Sequence, residues 1–308
     1  ILEGGYNEEH EVSLKSSLEI QKILNKIKLK FILLRVNPKN FEVKISKYKN
    51  FSCINALHGS YGEDGKIQKI LKNNNIRYSH SGILSSKNCF NKVNTKKIIK
   101  KNKILTPKFL ILKKKKFDYK ALLSINKNFK KFVIKPTNSG SSFGVKIIKS
   151  NKDFNNFINE IEDYKKNLPK NNKILIEEFI SGKELTVSTI KFSQKIQPLA
   201  VTEINYKNTF FDYKAKYSKG YSKHFLPARI SKKNYEKCLN IASKAHKLLG
   251  CNSIARTDFI FDTKKNQIFL LEINTQPGMT SLSLLPEQAK YKNISFEKII
   301  LGIIENLN

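Results

Sequence analysis

Segments with the hydrophobic period of strands alternate with segments that have the period of helices over roughly the first ninety residues. Apolar runs at 31–36 and 53–57 have the length and composition of strands. Apolar side chains recur at helical spacing between Ile20 and Ile27, and again after Gly65. Strands and helices that alternate in this way usually form a parallel sheet covered by helices. The pattern therefore predicts a parallel α/β unit at the start of the chain.

Strand-like segments dominate the rest of the chain. They cover residues 132–135, 145–148, 174–178, 185–190, 253–261 and 267–275. Helices are predicted at 154–164 and 235–249, the latter closed by Gly250 in the position that follows a C-cap. Ser13 and Asp153 stand where the N-caps of two helices are expected.

Charge and composition restrict the class of function. The chain carries 58 Lys and Arg against 25 Asp and Glu, a net charge of +33, while 40% of its residues are hydrophobic, enough for a core. Such a charge indicates either a polyanionic partner or a lysine-rich composition without functional meaning. The lysines are spread over the whole chain and arginine is scarce, whereas sequence-specific nucleic-acid binding relies on arginine. We therefore expect no specific nucleic-acid partner. A basic protein that binds nucleic acid or a membrane surface stays as the non-enzyme alternative.

The sequence also bears on location. No apolar run approaches the roughly 20 residues that cross a bilayer, and no signal peptide is visible. The cysteines form no CxxC pair and lie at no zinc-finger spacing, which is typical of reduced thiols; they are Cys53, Cys89, Cys238 and Cys251. We expect a cytoplasmic protein that does not insert into a membrane.

A loop of small residues follows the strand predicted at 132–135. Lys135 ends the strand, and the loop at 136–144 consists almost entirely of Pro, Thr, Asn, Ser and Gly. Small residues let backbone N–H groups approach an anion, hydroxyls add donors, and lysine supplies a compact positive charge. The loop lacks the Gly-Lys-Ser/Thr ending of a Walker A motif. Taken alone, the loop favours an ordinary turn beside a lysine over a phosphate-binding site.

Four polar residues lie among the apolar residues of the last predicted strand pair. If the pair forms a hairpin centred on Lys265, Asp258 lies opposite Glu272 and Arg256 opposite Asn274. All four side chains then point to one face, and a one-residue slip would divide them between faces. Two carboxylates and an amide oxygen suit Mg²⁺ that bridges nucleotide phosphates. The alternative is an exposed polar face on which Arg256 pairs with an acid.

Two weaker signals lie at strand ends. Glu177, Glu178 and Glu184 surround the end of a predicted strand, where carboxylates can accept from ribose hydroxyls or an adenine amine. A solvated acidic turn explains them equally well. His58 follows the apolar run at 53–57, at the carboxyl end where open α/β sheets bind ligands. A single histidine in such a place can also be purely structural.

Several segments of the chain, in order, resemble the motifs of D-alanine–D-alanine ligases, a family of the ATP-grasp superfamily. They are 4–13, 58–68, 135–144, 211–217, 256–258 and 271–281, the last of which reads Leu-Glu-Ile-Asn-Thr-Gln-Pro-Gly-Met-Thr-Ser. The resemblance covers nearly the whole chain. It implies an α/β fold in which an N-terminal parallel α/β (pre-ATP-grasp) domain, residues 1–91, is followed by a two-lobed ATP-grasp domain. The central lobe would cover 92–180, and the C-terminal lobe, 181–308, would carry the metal and D-alanine sites.

The resemblance implies an activity as well. ATP would phosphorylate one D-alanine to an acylphosphate, a second D-alanine would attack it, and D-alanyl-D-alanine would serve peptidoglycan precursor synthesis. Two Mg²⁺ or Mn²⁺ ions would assist, and a homodimer is left open. The alternatives are another ATP-grasp carboxylate–amine ligase or a D-alanine–D-lactate ligase. Tyr217 favours the D-alanine–D-alanine ligase over the D-alanine–D-lactate ligase, because ligases that prefer a hydroxy acid tend to carry His or Phe there.

Roles follow from the resemblance position by position. The phosphates would be bound by Lys92, Lys135 and Lys216, and the rest of the nucleotide site would comprise Ser142, Glu177, Glu178, Ile180, Glu184 and Phe211. The metal ligands would be Asp258, Glu272 and Asn274. The first D-alanine would be held by Glu9, Val12 and His58, with Ser141 and Tyr217 ordering the site around Glu9. The oxyanion would be stabilised by Arg256 and Gly278, and the second D-alanine held by Ser283 and Leu284.

Overall fold

The fold is seen in a computed structural model that describes residues 1–169, 172–206 and 222–308. Its N-terminal unit consists of β1 (Leu2–Gly4), α1 (His10–Lys26), β2 (Leu34–Val36), α2 (Phe41–Ile45), a 3₁₀-helix (Ser46–Tyr48), α3 (Lys66–Asn73) and α4 (Ile83–Phe90). β1 and β2 pair in parallel, and isolated parallel bridges extend the sheet from Leu2 to Asn55 and from Cys53 to Tyr78. The predicted parallel α/β unit is confirmed, although the run at 53–57 contributes bridges rather than a continuous strand.

A four-stranded antiparallel sheet follows, in the order β3-β6-β4-β5. The elements of this part are α5 (Lys92–Lys101), β3 (Phe109–Lys113), a 3₁₀-helix (Lys114–Lys116), α6 (Tyr119–Phe129), β4 (Phe132–Pro136), β5 (Lys146–Ile148), α7 (Asn151–Asn167) and β6 (Lys173–Glu178). Aromatic side chains form the centre of its core, where Phe117, Phe157 and Tyr164 lie within about 6 Å of one another. Aromatic residues bury a large apolar area each, which holds α7 against the sheet.

A five-stranded antiparallel sheet, in the order β11-β10-β7-β8-β9, makes up the C-terminal part. Its elements are β7 (Lys183–Phe192), β8 (Lys195–Tyr206), β9 (Ser222–Phe225), α8 (Lys232–Leu248), β10 (Ile254–Asp262), β11 (Gln267–Asn274), α9 (Leu284–Tyr291) and α10 (Phe296–Glu305). Ile20 and Leu24 of α1 share a core cluster with Ile299 and Ile300 of α10, and Ile99 of α5 shares another with this sheet. The N-terminal unit and α5 are thus anchored on the C-terminal sheet, while the domain boundaries stay predictions.

Two of the expected helix caps are wrong and one is confirmed. α1 begins before Ser13, whose buried hydroxyl accepts the Gly4 N–H at 2.9 Å and ties the helix to β1. α7 is capped by Ser150, which accepts the N–H of Asp153 at 3.2 Å, so Asp153 lies inside the first turn. In both cases the predicted capping side chain accepts a hydrogen bond from another backbone group: Ser13 from the Gly4 N–H and Asp153 from the Lys149 N–H. Gly250 has φ +65° and follows the C-cap of α8, as predicted.

The register of β10 and β11 decides which residues share a face. Asp258 pairs with Glu272, and Arg256 with Asn274, as the hairpin prediction requires. The register shifts by one residue just beyond Asp258: Phe259 pairs with Leu270, and Leu271 has no Cα partner in β10. Leu271 and Glu272, although consecutive, consequently line the same cavity. If the register next to the turn, which pairs Asp262 with Gln267, continued along the whole hairpin, Glu272 would lie on the opposite face from Asp258.

None of the helices in the described part of the chain combines the length and the apolar character needed to cross a lipid bilayer.

Gln288 on α9 is fully buried and connects the helix to two strands. Its side-chain carbonyl accepts the Ser188 N–H at 2.7 Å, and its amide donates to the Thr186 carbonyl at 3.1 Å and to the Thr202 hydroxyl at 2.9 Å. A buried amide that satisfies both ends in this way holds its helix in one position. The beginning of α9, where Ser283 and Leu284 lie, is therefore fixed relative to β7 and β8.

We expect Gln288→Leu to lower the free energy of unfolding by about 1–3 kcal/mol, because it leaves buried backbone groups without partners. Lys290→Leu, at an exposed position of the same helix, is the matched control and should change the value by less than about 0.5 kcal/mol. Urea denaturation measures both. Equal stability of the two variants would contradict the anchoring role of Gln288.

Candidate active site

A cavity of about 430 Å³ lies between the four-stranded and the five-stranded sheets. Its walls contain most of the residues that the sequence assigns to nucleotide and metal: Lys92, Lys135, Ser142, Glu177, Glu178, Ile180, Glu184, Asp258 and Glu272. Volumes of this size accommodate a small organic ligand. The structure thus brings together residues that are separated by up to 180 positions in the sequence.

A smaller cavity of about 60 Å³ continues toward the N-terminal unit. It is lined by five of the residues predicted to act on the substrate, Glu9, His58, Ser141, Arg256 and Gly278, and by the predicted metal ligand Asn274. Lys92 and Glu272 line both cavities. These two residues therefore lie at the junction of the two cavities.

Two lysines and one glutamate form a buried ion cluster at the wall of the large cavity. Glu177 is 2% exposed, and its two carboxylate oxygens lie 2.5 Å from the ammonium of Lys96 and 2.6 Å from that of Lys135. Burial alone would raise the pKa of Glu177, but the two ammonium groups outweigh it and lower the pKa. For Lys135, burial works against the charged form, and the nearby carboxylates, Glu177 first, raise its pKa nonetheless. Lys135 therefore keeps its charge where it faces the cavity.

Lys92 joins the small-residue loop to β11. It is the first residue of α5, and its ammonium donates to the Ser139 carbonyl at 2.5 Å and lies 3.6 Å from the Glu272 carboxylate. Ser141 and Ser142 follow in the loop with φ values of +45° and +60°. Such conformations are uncommon for residues other than glycine and turn the backbone sharply. The loop is bent over the junction of the two cavities.

The predicted metal ligands share one face, as the hairpin register requires. Arg256 donates to both oxygens of Asp258 at 2.9 and 2.7 Å, and the Thr186 hydroxyl donates to Asp258 at 2.7 Å. The side-chain oxygen of Asn274 accepts the Gln276 N–H at 2.7 Å. Carboxylate and amide oxygens are the donors that Mg²⁺ and Mn²⁺ prefer, so the set fits such an ion. In the described ranges, no three His, Cys, Asp or Glu residues converge as a metal site.

His58 and Glu9 are both buried beside the smaller cavity. The His58 Nδ1 lies 3.3 Å from Glu63, and its Nε2 lies 3.0 Å from the Ser16 hydroxyl of α1. Partners on both nitrogens hold the ring in one orientation. Glu9 accepts a hydrogen bond from the Ser141 hydroxyl, so the loop reaches across to the start of α1. The predicted contact between Glu9 and Ser141 is present.

The segment after β11 forms the far side of the smaller cavity. A Cβ atom on Gly278 would come within 2.7 Å of the Ser283 hydroxyl oxygen, so this position admits only glycine without displacement. The Ser283 oxygen also accepts the Thr280 N–H at 3.2 Å. Leu284 begins α9 and is buried, as is Val12 in α1. Gly278 and Ser283 therefore lie close together, whereas Val12 and Leu284 are buried and line neither cavity.

The nucleotide side contains the remaining predicted residues. Glu184 accepts from the Tyr206 hydroxyl at 2.8 Å, and burial together with this carboxylate raises the pKa of Tyr206. Glu178 and Ile180 are half-buried and line the large cavity. Phe211, Lys216 and Tyr217 lie outside the described residues.

Sequence reasoning did not single out Lys96, Glu63, Thr186 or Gln276. Each contacts a predicted site residue. Glu63 also lines the smaller cavity, whereas the other three residues line neither cavity. Lys96 lies one helical turn after Lys92 on the buried face of α5, which is a detectable spacing. The neighbouring lysines conceal it, because a lysine-rich helix gives no sign of which ammonium is buried. Gln276 also binds the backbone at Asn55 and Leu57, a contact across more than 200 residues that no local pattern predicts.

Comparison with known proteins extends these findings. Residues 98–305 match the family described as D-ala D-ala ligase C-terminus. A curated D-alanine–D-alanine ligase of Pelagibacter ubique is 42% identical over 308 residues, which cover 99% of this chain and 96% of the relative. One from Wolbachia sp. subsp. Drosophila simulans is 37% identical, with 99% and 92% covered.

Solved structures agree with the sequence relatives. The D-alanine–D-alanine ligase from Bacillus anthracis, complexed with ATP, has a TM-score of 0.79 at 28% identity and covers 99% of this chain and 94% of its own. The VanG D-Ala:D-Ser ligase from Enterococcus faecalis has a TM-score of 0.81 at 24% identity, covering 99% and 97%, a likeness of fold alone. The predicted fold class, a parallel α/β domain followed by a two-lobed ATP-grasp domain, is confirmed.

We expect Glu177→Gln to lower the free energy of unfolding by about 3–5 kcal/mol near neutral pH, because it leaves two buried ammonium groups without their counter-charge. The folded-state pKa of Glu177 is lowered from 4.5. As the pH falls below about 4.5, the unfolded chain binds the proton first, so the stabilisation by Glu177 is lost as the pH drops through the folded pKa.

Denaturant unfolding between pH 7 and pH 3 measures this effect. The difference between wild type and Glu177→Gln should be constant above pH 4.5 and shrink below it. Glu162→Gln, whose side chain is 66% exposed, is the control and should show a small effect. A difference that grows in acid would contradict the assignment of a depressed pKa.

Proposed function

The chain belongs to the D-alanine–D-alanine ligase family, and from this premise we propose how its two connected cavities join two D-alanine molecules at the expense of ATP. The reaction yields D-alanyl-D-alanine for peptidoglycan synthesis, with ADP and phosphate as the other products. The observation that carries the proposal is the junction at Lys92 and Glu272, which line both the large and the small cavity. We assign ATP to the large cavity and D-alanine to the small one. The three-part division at 1–91, 92–180 and 181–308 is part of this proposal.

The lysines of the large cavity are proposed to bind phosphate. Lys135 stands on the wall with a raised pKa, and Lys92 stands at the junction. The loop that follows Lys135 offers backbone N–H groups and the hydroxyl of Ser142. Negative charge develops on the transferred phosphoryl group and its neighbours, so fixed cations and donors stabilise the transition state more than the free reactants. Lys216 is proposed as a further phosphate contact, and the base and ribose fall to Glu178, Ile180, Glu184 and Phe211.

Asp258, Glu272 and Asn274 would hold two Mg²⁺ or Mn²⁺ ions. When bound, such ions neutralise phosphate charge and orient the phosphates for in-line transfer. Arg256 holds Asp258 in place with two hydrogen bonds, and Thr186 adds a third. A carboxylate that neighbouring side chains hold by hydrogen bonds presents its remaining lone pairs to a metal ion in a fixed direction. Lys92, which lies 3.6 Å from the Glu272 carboxylate, would remain beside it when a metal ion is bound.

The first D-alanine is proposed to lie between Glu9 and His58. Its ammonium is complementary to the Glu9 carboxylate, which Ser141 also contacts. Phosphorylation makes its carboxyl carbon electrophilic. The amine of the second D-alanine, once deprotonated, then attacks that carbon, a C–N bond forms, and the bond to phosphate breaks. Arg256 and the backbone at Gly278 are placed to stabilise the oxyanion between these two steps, as Arg256 and Gly278 line the same cavity.

Exclusion of water follows from the contact between the loop and α1. An acylphosphate hydrolyses readily, so the site has to be closed while it exists. Ser141 reaches Glu9 across the cavity, and Lys92 holds the Ser139 carbonyl. The loop is therefore held over the junction from both sides. Tyr217 is proposed to add to this network, and Ser283 with Leu284 to receive the second D-alanine.

We further propose that the enzyme works in the cytoplasm. We also propose that it forms a homodimer, which the molar mass measured by light scattering tests.

The activity is tested by incubating the protein with ATP, MgCl₂ and D-alanine, with D-lactate added in competition. ADP, phosphate and D-alanyl-D-alanine should appear together, and the dipeptide should exceed D-alanyl-D-lactate because position 217 is Tyr. ADP release without dipeptide would refute the proposal, and an excess of D-alanyl-D-lactate would replace it with the hydroxy-acid ligase.

Glu272→Gln should lower kcat by roughly 100-fold or more, because a fixed charge that acts on the transition state is removed. Glu236→Gln, an exposed acid on α8, should retain wild-type kcat. Thermal unfolding of both variants shows whether the fold is retained. A kcat within a factor of about two of wild type for Glu272→Gln would exclude Glu272 as a ligand of the reacting phosphates.

A further inference from the structure

Lys96 is a fully buried lysine that does not reach the substrate. It is 0% exposed, and its ammonium donates to the Thr106 hydroxyl at 2.6 Å and pairs with Glu177 at 2.5 Å. The other carboxylate oxygen of Glu177 holds Lys135, which lines the cavity. Lys96 therefore belongs to the layer directly behind the cavity wall.

The charge of this cluster is not balanced. Lys96 and Lys135 contribute two positive charges, and Glu177, the carboxylate in direct contact with both, contributes one negative charge. Glu272 and Glu184 act on Lys135 more weakly than Glu177 does. A cluster that served stability alone would gain nothing from an excess buried charge, because apolar residues of similar volume are usually as stabilising as a buried ion pair. Glu272 and Glu184 offset part of the excess charge, and the rest can serve a strongly anionic ligand that binds beside it. The large cavity is the place for such a ligand.

We propose that Lys96 is a positioning residue for the nucleotide phosphates: it holds Glu177 in place, so that Glu177 holds Lys135 at the cavity wall and the cluster keeps one net positive charge. The inference rests on the proposed function, since it takes ATP as the ligand of the large cavity. Without Lys96, the negative charge of Glu177 would be paired only with the positive charge of Lys135. The net charge of the three-residue cluster would then fall from +1 to zero.

The position of Lys96 in α5 supports this role. Lys92 and Lys96 lie one turn apart on the buried face of the helix, and Lys92 contacts Glu272 as Lys96 contacts Glu177. One helix thus supplies a lysine to each of the two acidic sides of the cavity. Burial lowers the pKa of Lys96 to about 8, whereas the pKa of Lys135 is raised. Of the two ammonium groups, the one that faces the ligand is therefore the more firmly charged.

Lys96→Met tests the inference, with Lys97→Met, exposed on the same helix, as the matched control. Loss of one net charge at roughly 10 Å, with an effective dielectric constant of about 20, should raise KM for ATP and the Kd of MgATP roughly tenfold. KM for D-alanine should change less than about twofold, because the cluster does not touch the small cavity. Calorimetry gives the Kd and steady-state kinetics give the KM values.

The double variant Lys96→Met with Glu177→Gln separates charge from folding. It restores one net positive charge, carried by Lys135, so its Kd for MgATP should return toward the wild-type value although its stability is not restored. A double variant that binds MgATP no better than Lys96→Met would overturn the inference. So would a rise in both KM values by the same factor, which indicates general distortion of the site.

Failure of the proposed function gives a different result. A wild-type protein that binds MgATP but forms no dipeptide would contradict the ligase assignment, and the calorimetric comparison of Lys96→Met with Lys97→Met would still decide the role of Lys96. Equal Kd values for those two variants, in a protein that does form the dipeptide, would remove Lys96 from the account and leave the ligase assignment in place.

Discussion

The one-residue register shift between β10 and β11 is the constraint on which the rest of the site depends. It places Asp258 opposite Glu272 and turns Leu271 and Glu272 to the same cavity. Glu272 is then within reach of Lys92 at the start of α5. Because α5 packs on the same sheet through Ile99, the helix and the strand pair form one rigid frame around the junction of the two cavities.

The hairpin also shows how far sequence reasoning reaches. Alternating polar and apolar residues indicated that Asp258 and Glu272 share a face, and a centre at Lys265 satisfied that condition. The turn itself pairs Asp262 with Gln267, which by itself would place Asp258 opposite Leu271. The pattern of residues that must face the cavity was therefore predictable, whereas the local irregularity that reconciles it with the turn depends on packing that the strand sequences do not express.

Elements that depend on local periodicity were predicted well, and those that depend on distant partners were not. β10, β11 and α8 follow from hydrophobic spacing, whereas α6, β8 and α10 were not among the predicted elements. Ser13 failed as an N-cap because its hydroxyl binds the Gly4 N–H of another element. Glu177 stood in the sequence as one of several acids at a strand end, and only the folded chain shows that two lysines enclose it. The roles of the individual site residues stay proposals.

Burial, rather than charge, distinguishes the lysines at the cavities from the other described lysines of this chain. With 58 basic residues, neither the net charge nor any run of lysine identifies a site. Among the described residues, the lysines that are buried are Lys92, Lys96 and Lys135, and all three contact Glu177 or Glu272. Burying an ammonium group is costly unless a carboxylate compensates it, so each such lysine requires a specific partner. Glu177 and Glu272 both line the large cavity, so the three buried ammonium groups are gathered there, while the other lysines in the described part of the chain are at least partly exposed.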